Sequence, residues 1–151
     1  MALWDIYLTP SSWRRPEISW LSGDERKRAE ALISPLWNAR EKLWLDKRYL
    51  YCHVIAVHPE YQRKGIGQLL MENGIKVAQK AELPIYIESS LDGVRLYEKS
   101  GCRRLKQPHE HDTKDLKPPR AQGDGESSEV VLFVWVPKSG EGMLPDQVEL
   151  A

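Results

Sequence analysis

The stretch AVHPEYQRKGIGQLLMENG, residues 56–74, carries the most informative pattern in this sequence. It begins at the end of an apolar segment, passes through a loop with two glycines, and ends in residues with the apolar spacing of a helix. A loop that enters a helix directs unpaired backbone N–H groups and the positive end of the helix dipole toward one point. Gly65 and Gly67 would let an anion approach closely, and Arg63 and Lys64 add positive charge. The stretch therefore predicts an anion site, unless the glycines serve only the backbone of an ordinary tight turn.

Two familiar phosphate-binding loops do not fit these residues. A Walker loop requires G-K-[ST], whereas here Lys64 precedes Gly65 and no Ser or Thr follows. A dinucleotide fingerprint, G-x-G-x-x-G, requires a third glycine where Leu70 stands, and it follows its strand more directly than this loop does. A phosphate or pyrophosphate would therefore be held here by another kind of loop.

The segments on either side of the loop predict a strand, a helix and a second strand. Residues 48–58, RYLYCHVIAVH, are apolar at both alternating sets of positions, which is typical of a central strand covered on both faces. Apolar residues then recur at helical spacing from Ile66 to Ala81, and LPIYIES predicts a strand over 84–88. Two strands joined by a helix in this way form a parallel crossover unit.

The rest of the chain predicts elements on both sides of this unit. ALWDIYL indicates a first strand, and apolar spacing predicts helix over 24–46, either in two pieces or as one helix kinked at Pro35. DGVRLYEKS predicts a short helix that ends at Gly101. We interpret the polar residues 107–128 as a long mobile loop, EVVLFVWVP as the last strand, and 138–151 as a loose tail.

Length and composition exclude several classes of protein. A chain of 151 residues suits one domain, which would bury roughly 70% of its unfolded surface. The 22 basic and 22 acidic residues cancel, so we expect no nucleic-acid partner, and no apolar run is long enough for a membrane span. Cys52 and Cys102 lack the spacing of a metal or redox motif and are interpreted as reduced thiols of a cytoplasmic protein.

Two of these segments carry a resemblance to a known family. IAVHPEYQRKGIGQLL resembles the acyl-CoA-binding motif of the GNAT superfamily of N-acetyltransferases, in which [QR]-x-x-G-x-[GA] follows a strand. RLYEKSGC is similar to a second family element, a short helix with a tyrosine before a glycine. The resemblance covers residues 49–105 and implies an α+β fold with a mixed sheet. We expect a single domain over 1–137 with its core at 48–106.

The resemblance also implies how a cofactor would be bound. In the family, two neighbouring strands separate, the pantetheine arm of acyl-CoA lies between them, and backbone amides of the loop bind the pyrophosphate. The residues that match these positions are Ile55, Ala56, Val57, Gln62, Arg63, Lys64, Gly65, Ile66, Gly67 and Gln68. The implied co-substrate is acetyl-CoA.

Two side chains are candidates for catalysis. Tyr97 matches the tyrosine that often protonates the departing thiolate, and packing in the core is the alternative role. Glu88 is the first candidate for the base that takes a proton from the amine, ahead of His53 and His58, and an exposed or salt-bridged carboxylate is the alternative. We expect no metal site, because the pair His109 and His111 lacks a suitably spaced third ligand.

The implied activity is transfer of an acetyl group from acetyl-CoA to a primary amine of a small molecule or peptide. One departure from the family weakens this expectation, because only about 48 residues precede the motif strand where several strands are usual. We therefore expect an N-terminally incomplete domain, whose exposed sheet edge would be prone to self-pairing in a homodimer. The alternative function is a noncatalytic relative that keeps CoA binding or serves in assembly.

Overall fold

The computed structural model describes residues 1–10, 13–106, 130–138 and 144. Within these residues the chain forms five strands and three α-helices. In chain order they are β1 (Ala2–Tyr7), α1 (Gly23–Trp44), β2 (Tyr49–Ile55), α2 (Ile66–Ala81), β3 (Ile85–Ser90), α3 (Val94–Lys99), β4 (Arg103–Arg104) and β5 (Val130–Trp135). The predicted mobile loop and most of the predicted tail lie outside the described residues, as do His109 and His111.

The strands form one mixed sheet in the order β1-β2-β3-β5-β4. β2 and β3 are parallel and are joined through α2, which confirms the predicted crossover unit. The other neighbouring pairs are antiparallel. β2 has a neighbour on each side and contributes to the cores on both faces, which confirms the predicted central strand.

Two strand ends and one additional strand differ from the prediction from the sequence. β2 ends at Ile55, because the chain turns at His58, which begins a short 3₁₀ turn at Pro59–Tyr61. β3 continues beyond Glu88 to Ser90, because β5 pairs with it along its whole length. β4 was not predicted, since a strand of two residues carries no periodic pattern.

The helix α1 is continuous over its 22 residues, so the version with two separate helices is wrong. Pro35 lies inside it on an exposed position and removes one backbone hydrogen bond from the helix ladder. Leu36, Leu43 and Trp44 pack onto the sheet on the opposite side of the helix, and this burial outweighs the lost hydrogen bond.

The two faces of the sheet have separate cores. On the face covered by α2 and α3, here called the α2 face, the buried residues are Leu50, Cys52, Met71, Ala78, Ile85, Ile87, Tyr97, Cys102 and Phe133. On the face covered by α1, here called the α1 face, they are Trp44, Tyr49, Tyr51, Tyr86, Leu105, Leu132 and Val134. Successive residues of β2 and β3 alternate between these two cores, as the period of a strand requires.

Candidate active site

The loop between β2 and α2, here called the motif loop (residues 56–65), bends twice through the left-handed region. Arg63 has φ +59° and Gly65 has φ +81°. Glycine adopts this conformation without penalty, whereas an arginine there stores backbone strain of the kind that is concentrated at functional sites. The side chain of Gln62 fixes the start of the bend, since its Nε2 donates a hydrogen bond to the carbonyl oxygen of Val57 at 3.0 Å.

The bend leaves a row of backbone N–H groups unpaired. The first amide of α2 that donates to a backbone carbonyl is that of Leu69, which donates to Gly65 at 3.1 Å. The backbone amides of the six residues from Arg63 to Gln68 donate to no backbone carbonyl within the described part of the chain. Six adjacent N–H groups at a helix N-terminus, with two left-handed residues among them, form a concave surface suited to an anion.

Two cations lie beside these amides. Arg63 and Lys64 are exposed, and neither forms a salt bridge within the described residues. The Lys64 ammonium instead lies 5.3 Å from the centroid of the Tyr61 ring. Both side chains are therefore available to a phosphate group at the motif loop.

The parallel ladder between β2 and β3 ends early, and this creates the second feature of the site. Its pairs are Leu50 with Ile85, Tyr51 with Tyr86 and Cys52 with Ile87, and no pair follows. Both strands continue for three more residues, β2 to Ile55 and β3 to Ser90. We call this unpaired stretch, residues 53–55 and 88–90, the β2–β3 gap.

A β-bulge lies on β2 where the gap begins. Trp4 of β1 faces Cys52 and Leu3 faces Val54, so His53 is the extra residue between them. A bulge bends the strand that carries it and increases its twist. It therefore gives a local reason why β2 leaves β3 after Cys52.

The three residues at the end of β2 that were predicted to bind the cofactor, Ile55, Ala56 and Val57, direct their backbone groups to different sides of the chain. Ala56 exchanges both of its backbone hydrogen bonds with Met1, at 2.9 Å and 2.6 Å, so its backbone groups point toward β1. Because backbone groups alternate along a strand, those of Ile55 point to the other side, toward the gap. Val57 is the next residue on that side, with its carbonyl already bonded to Gln62.

Tyr97 lies in the core of the α2 face, next to the start of the gap. Its ring centroid is 5.7 Å from that of Phe133, and its hydroxyl lies close to the Cys52 thiol. Burial first, and then the neighbouring Cys52, raises the pKa of Tyr97, so that its hydroxyl keeps its proton at neutral pH. Burial likewise raises the pKa of Cys52 to about 12, and both Cys52 and Cys102 are free thiols.

Glu88 lies at the start of the gap on the α1 face. It is the first residue of β3 beyond the ladder with β2, and the Tyr51 hydroxyl donates a hydrogen bond to its Oε2 at 2.9 Å. Burial raises the pKa of Glu88, and this outweighs the hydrogen bond from Tyr51 and the positive charge of Arg40, which lower it. The Tyr86 hydroxyl lies close to the same carboxylate, although the two do not meet the geometry of a hydrogen bond. A half-buried carboxylate with a raised pKa has the properties required of a general base.

The two other candidate bases have different surroundings. His53, the bulge residue, lies 2.6 Å from Asp5 through its Nε2, and Tyr7 donates to the same carboxylate oxygen at 3.0 Å. Burial acts to raise the pKa of Asp5, but the hydrogen bonds from His53 and Tyr7 lower it overall. His58 is exposed and accepts a hydrogen bond from the backbone N–H of Glu60, so it serves the 3₁₀ turn.

Sequence reasoning missed one residue near Glu88. Arg40 of α1 is 4% exposed, and its guanidinium lies over the ring of Tyr51, 3.8 Å from the centroid. A signal was present in the sequence, because Arg40 is four residues from both Leu36 and Trp44 and therefore shares their buried helix face. A cation at a core position of a helix is rare unless something in the fold requires it.

Comparison with known proteins identifies the family of this chain. A model of the acetyltransferase (GNAT) family matches residues 18–102, which is more than half of the chain. The chain belongs to the GNAT family. The resemblance expected from the motif loop and from Tyr97 is thereby confirmed, as is the mixed α and β fold. By family, the protein is an acyltransferase.

A relative supports the same assignment. The probable acyltransferase SID5 of Ajellomyces capsulatus is 31% identical to the chain over 110 residues, which cover 71% of the chain and 75% of the relative. No solved structure is significantly similar to the chain. In the described part of this GNAT protein, no helix is long and apolar enough to cross a membrane. Residues 1–10, 13–106 and 130–138 also contain no cluster of three or more side chains that could hold a metal ion.

Proposed function

We propose that this protein transfers an acetyl group from acetyl-CoA to the primary amine of a small molecule or peptide. The observation that carries the proposal is the early end of the β2–β3 ladder directly beside a helix N-terminus with free amides. A thioester cofactor with a diphosphate needs both features, an extended slot for its arm and an anion site for its charge. In this protein the two are consecutive in the chain.

The cofactor would be held mainly by backbone groups. The amides from Arg63 to Gln68 would bind the diphosphate, helped by the side-chain charges of Arg63 and Lys64. Ile55 would offer its backbone groups and Val57 its N–H to the pantetheine arm in the manner of an added strand, whereas Ala56 would help only by anchoring β2 to β1. Gln62 keeps the motif loop in place for this purpose.

The reaction itself requires that the ammonium nitrogen lose two protons and that the leaving sulfur gain one. An alkyl amine has a pKa of about 10.4, so at neutral pH most of it is protonated and a base must take a proton before or during attack. We assign this role to Glu88. The neutral amine nitrogen then forms a bond to the thioester carbonyl carbon and releases a second proton to solvent, the carbon–sulfur bond breaks, and the sulfur leaves as a thiolate. We assign to Tyr97 the donation of a proton to that thiolate.

The base Glu88 and the proton donor Tyr97 do not contribute equally to the rate. A thiol with a pKa of about 8.5 is already an acceptable leaving group, so the proton from Tyr97 matters less than positioning and the base. Holding the amine next to the carbonyl accounts for roughly 7 to 11 kcal/mol of the barrier in well-oriented reactions. Glu88 and Tyr97 lie on opposite faces of the sheet, at the same end of the ladder. The two residues would therefore flank a thioester lying in the gap from opposite sides.

A second function uses the same observation. A protein that binds acetyl-CoA at the motif loop without transferring its acetyl group needs the free amides but not Glu88. Affinity and turnover separate the two functions, since acetyl transfer to at least one member of a panel of primary amines is expected of the enzyme alone. Saturable binding of acetyl-CoA with no transfer to any amine would support the noncatalytic protein.

Binding is tested by Gly65→Glu. The position is open, with no heavy atom within 4 Å of an added Cβ, so the new carboxylate would extend freely beside the free amides and repel a diphosphate. We expect the affinity for acetyl-CoA, measured by calorimetry, to fall by about 100-fold or more.

Two controls separate charge from backbone strain. Gly65→Ala imposes the same left-handed strain without the charge, and we expect a much smaller loss of affinity. Gly23→Glu places the same carboxylate at another open left-handed glycine, the first residue of α1, and we expect it to leave the affinity unchanged. Unchanged affinity in Gly65→Glu would remove the proposed cofactor site.

A further inference from the structure

We propose that Arg40 is a positioning residue for Glu88, because it holds the Tyr51 ring in place and supplies the positive charge that this carboxylate lacks in direct contact. The inference deepens the proposed function and rests on it in one respect, the assignment of Glu88 as the base. It connects α1, which otherwise only covers one face of the sheet, to the chemistry at the gap.

Arg40 lies in a cage of four aromatic rings, formed by Tyr7, Trp13, Tyr49 and Tyr51. Its guanidinium carbon is 3.8 Å from the centroid of Tyr51 and 4.6 Å from that of Trp13. The rings of Tyr7 and Tyr49 are 5.1 Å and 5.6 Å away. The Arg40 Nε donates a hydrogen bond to the Tyr49 hydroxyl at 2.8 Å. The cage therefore fixes both the plane and the rotation of the guanidinium.

This cation has no carboxylate in contact within the described residues. Arg40 takes part in none of the salt bridges there, and its Nη2 is buried without a hydrogen-bond partner. Stacking on aromatic rings compensates only part of the cost of burying a charge. A core built for stability alone would be served as well by an apolar side chain, which is often neutral or better than a buried charge. The charge is therefore expected to act on a group nearby.

The charge acts on two carboxyls, those of Asp5 and Glu88, and of these two Glu88 is the one that lies at the start of the gap on β3. The ring that Arg40 stacks on belongs to Tyr51, and the hydroxyl of the same ring donates to Glu88. The charge of Arg40 also reaches Glu88 through space and lowers the pKa of its carboxyl, against the effect of burial. Arg40 thus acts on the Glu88 carboxylate in two ways: it positions the Tyr51 ring whose hydroxyl donates to Glu88, and its positive charge attracts the carboxylate through space.

The other groups around Glu88 do not duplicate this role. β2 contributes Tyr51 and His53, β3 contributes Tyr86, and the residue of β5 that pairs with Glu88 is the uncharged Leu132. Of these, only His53 can become positive, and it does so only when protonated. Among the groups with the largest effect on Glu88, Arg40 is therefore the permanent cation.

The inference is tested by titrating Glu88 directly in the chain of 151 residues. Carbon-13 NMR of labelled glutamate carboxyls, with Glu88→Gln for assignment, gives the titration midpoint without any need for activity. In Arg40→Gln we expect the midpoint of Glu88 to rise by about one pH unit. The acid limb of kcat/KM for acetyl transfer should move to higher pH by the same amount.

Two variants serve as controls for stacking and for fold. Arg40→Lys keeps a charge but loses the flat stack on Tyr51, so we expect a smaller rise, and this variant serves if Arg40→Gln does not fold. Arg15→Gln removes an arginine that stacks on Trp37, 5.6 Å from its centroid, and pairs with Glu41 on exposed positions. We expect Arg15→Gln to leave the midpoint of Glu88 unchanged.

The outcomes distinguish this inference from the proposed function. An unchanged midpoint in folded Arg40→Gln or Arg40→Lys would overturn the role of Arg40, because a purely structural arginine would alter stability alone. If Glu88→Gln transfers acetyl groups as fast as the natural chain, the base assignment fails. The titration of Glu88 in the Arg40 variants still decides whether Arg40 positions the carboxylate.

Discussion

The two faces of the sheet are filled by different kinds of side chain. On the α2 face the strands contribute mostly aliphatic residues and a thiol, and α2 lies over them with Gly74 at close approach. On the α1 face the strands contribute three buried tyrosines, and α1 adds Trp44 together with the buried cation of Arg40. β2 and β3 take part in both faces, one residue at a time.

The difference shows how one pair of strands can serve two chemical tasks. The motif loop and Tyr97 belong to the crossover through α2 and the helix that follows, whereas Glu88 and Tyr51 project to the α1 face from the same strands. Since the ladder ends at Cys52 and Ile87, both sets of groups meet at the gap. We infer that the α2 face holds the cofactor side of the reaction and the α1 face the proton acceptor.

The largest expected effect is that of removing the base from the α1 face. We expect Glu88→Gln to lower kcat by about 10² to 10⁴, since a positioned general base contributes this much, while acetyl-CoA affinity stays unchanged. In the natural chain kcat/KM should rise with pH as Glu88 loses its proton. Because burial raises the pKa of Glu88, the midpoint of this acid limb should lie above the pKa of an ordinary glutamate. The variant should lack this limb. Steady-state rates from about pH 4 to 9 and calorimetry measure both.

Glu98→Gln is the matched control for this variant. Glu98 lies on α3 and is paired with Arg104 at 2.7 Å on half-exposed positions, far from the role assigned to Glu88. We expect its pH profile to match that of the natural chain. A Glu88→Gln enzyme with an unaltered kcat would show that Glu88 is not the base.

The two faces also differ in how far they could be predicted from the sequence. The motif loop could be predicted from the sequence because Gly65 and Gly67 act through local backbone geometry, which depends on neighbours in sequence. The parallel crossover followed from apolar periodicity for the same reason. The left-handed conformation of Arg63 carried no such signal, because a non-glycine residue there is imposed by the surrounding fold.

The α1 face was predicted only in part. Glu88 was named from its place near the end of a strand, but its hydrogen bond from Tyr51 joins residues 37 positions apart and depends on the register of β2 with β3. Because a tyrosine counts as apolar in a periodic pattern, the pattern of β2 does not indicate that its tyrosine hydroxyls form hydrogen bonds. Arg40 was missed because its contacts come from separate segments of the chain.

The next effect tests how tightly the α2 face is packed. A Cβ added at Gly74 would overlap the indole ring of Trp4, whereas one added at Gly67 would be in ordinary contact with Leu96, 3.5 Å away. We expect Gly74→Ala to lower the free energy of unfolding by about 1 to 3 kcal/mol through overpacking. In Gly67→Ala the better helix propensity should offset the contact, for a gain of up to about 1 kcal/mol.

Urea denaturation of both variants measures this difference. The double variant Gly74→Ala with Trp4→Leu should recover part of the lost stability, because the smaller side chain leaves room for the new methyl group. Equal stabilities for Gly74→Ala and Gly67→Ala would mean that β1 does not press on α2 as the structure has it.

A smaller effect separates the two roles considered for Tyr97. We expect Tyr97→Phe to lower kcat by about tenfold without abolishing it, because the thiol leaves acceptably without a proton donor. Acetyl-CoA affinity should not change. The ring still packs against Phe133, so the melting temperature should move little. A loss of stability with an unchanged kcat would instead assign Tyr97 to the core alone.

The smallest effect is a change of stability with pH on the α1 face. Because burial raises the pKa of Glu88 in the folded chain, the fold favours the protonated carboxyl. The stability that this group contributes is complete below the pKa of an unfolded glutamate and is lost as the pH rises through the raised folded value. The amide that replaces the carboxyl in Glu88→Gln does not titrate, so the variant gains stability relative to the natural chain across that window. Urea denaturation of both chains at about pH 4 and pH 8 measures the difference, in which other titrating groups largely cancel. A difference that does not vary with pH would mean that Arg40 and Tyr51 offset the burial of Glu88 completely, and the base would then titrate like an exposed glutamate.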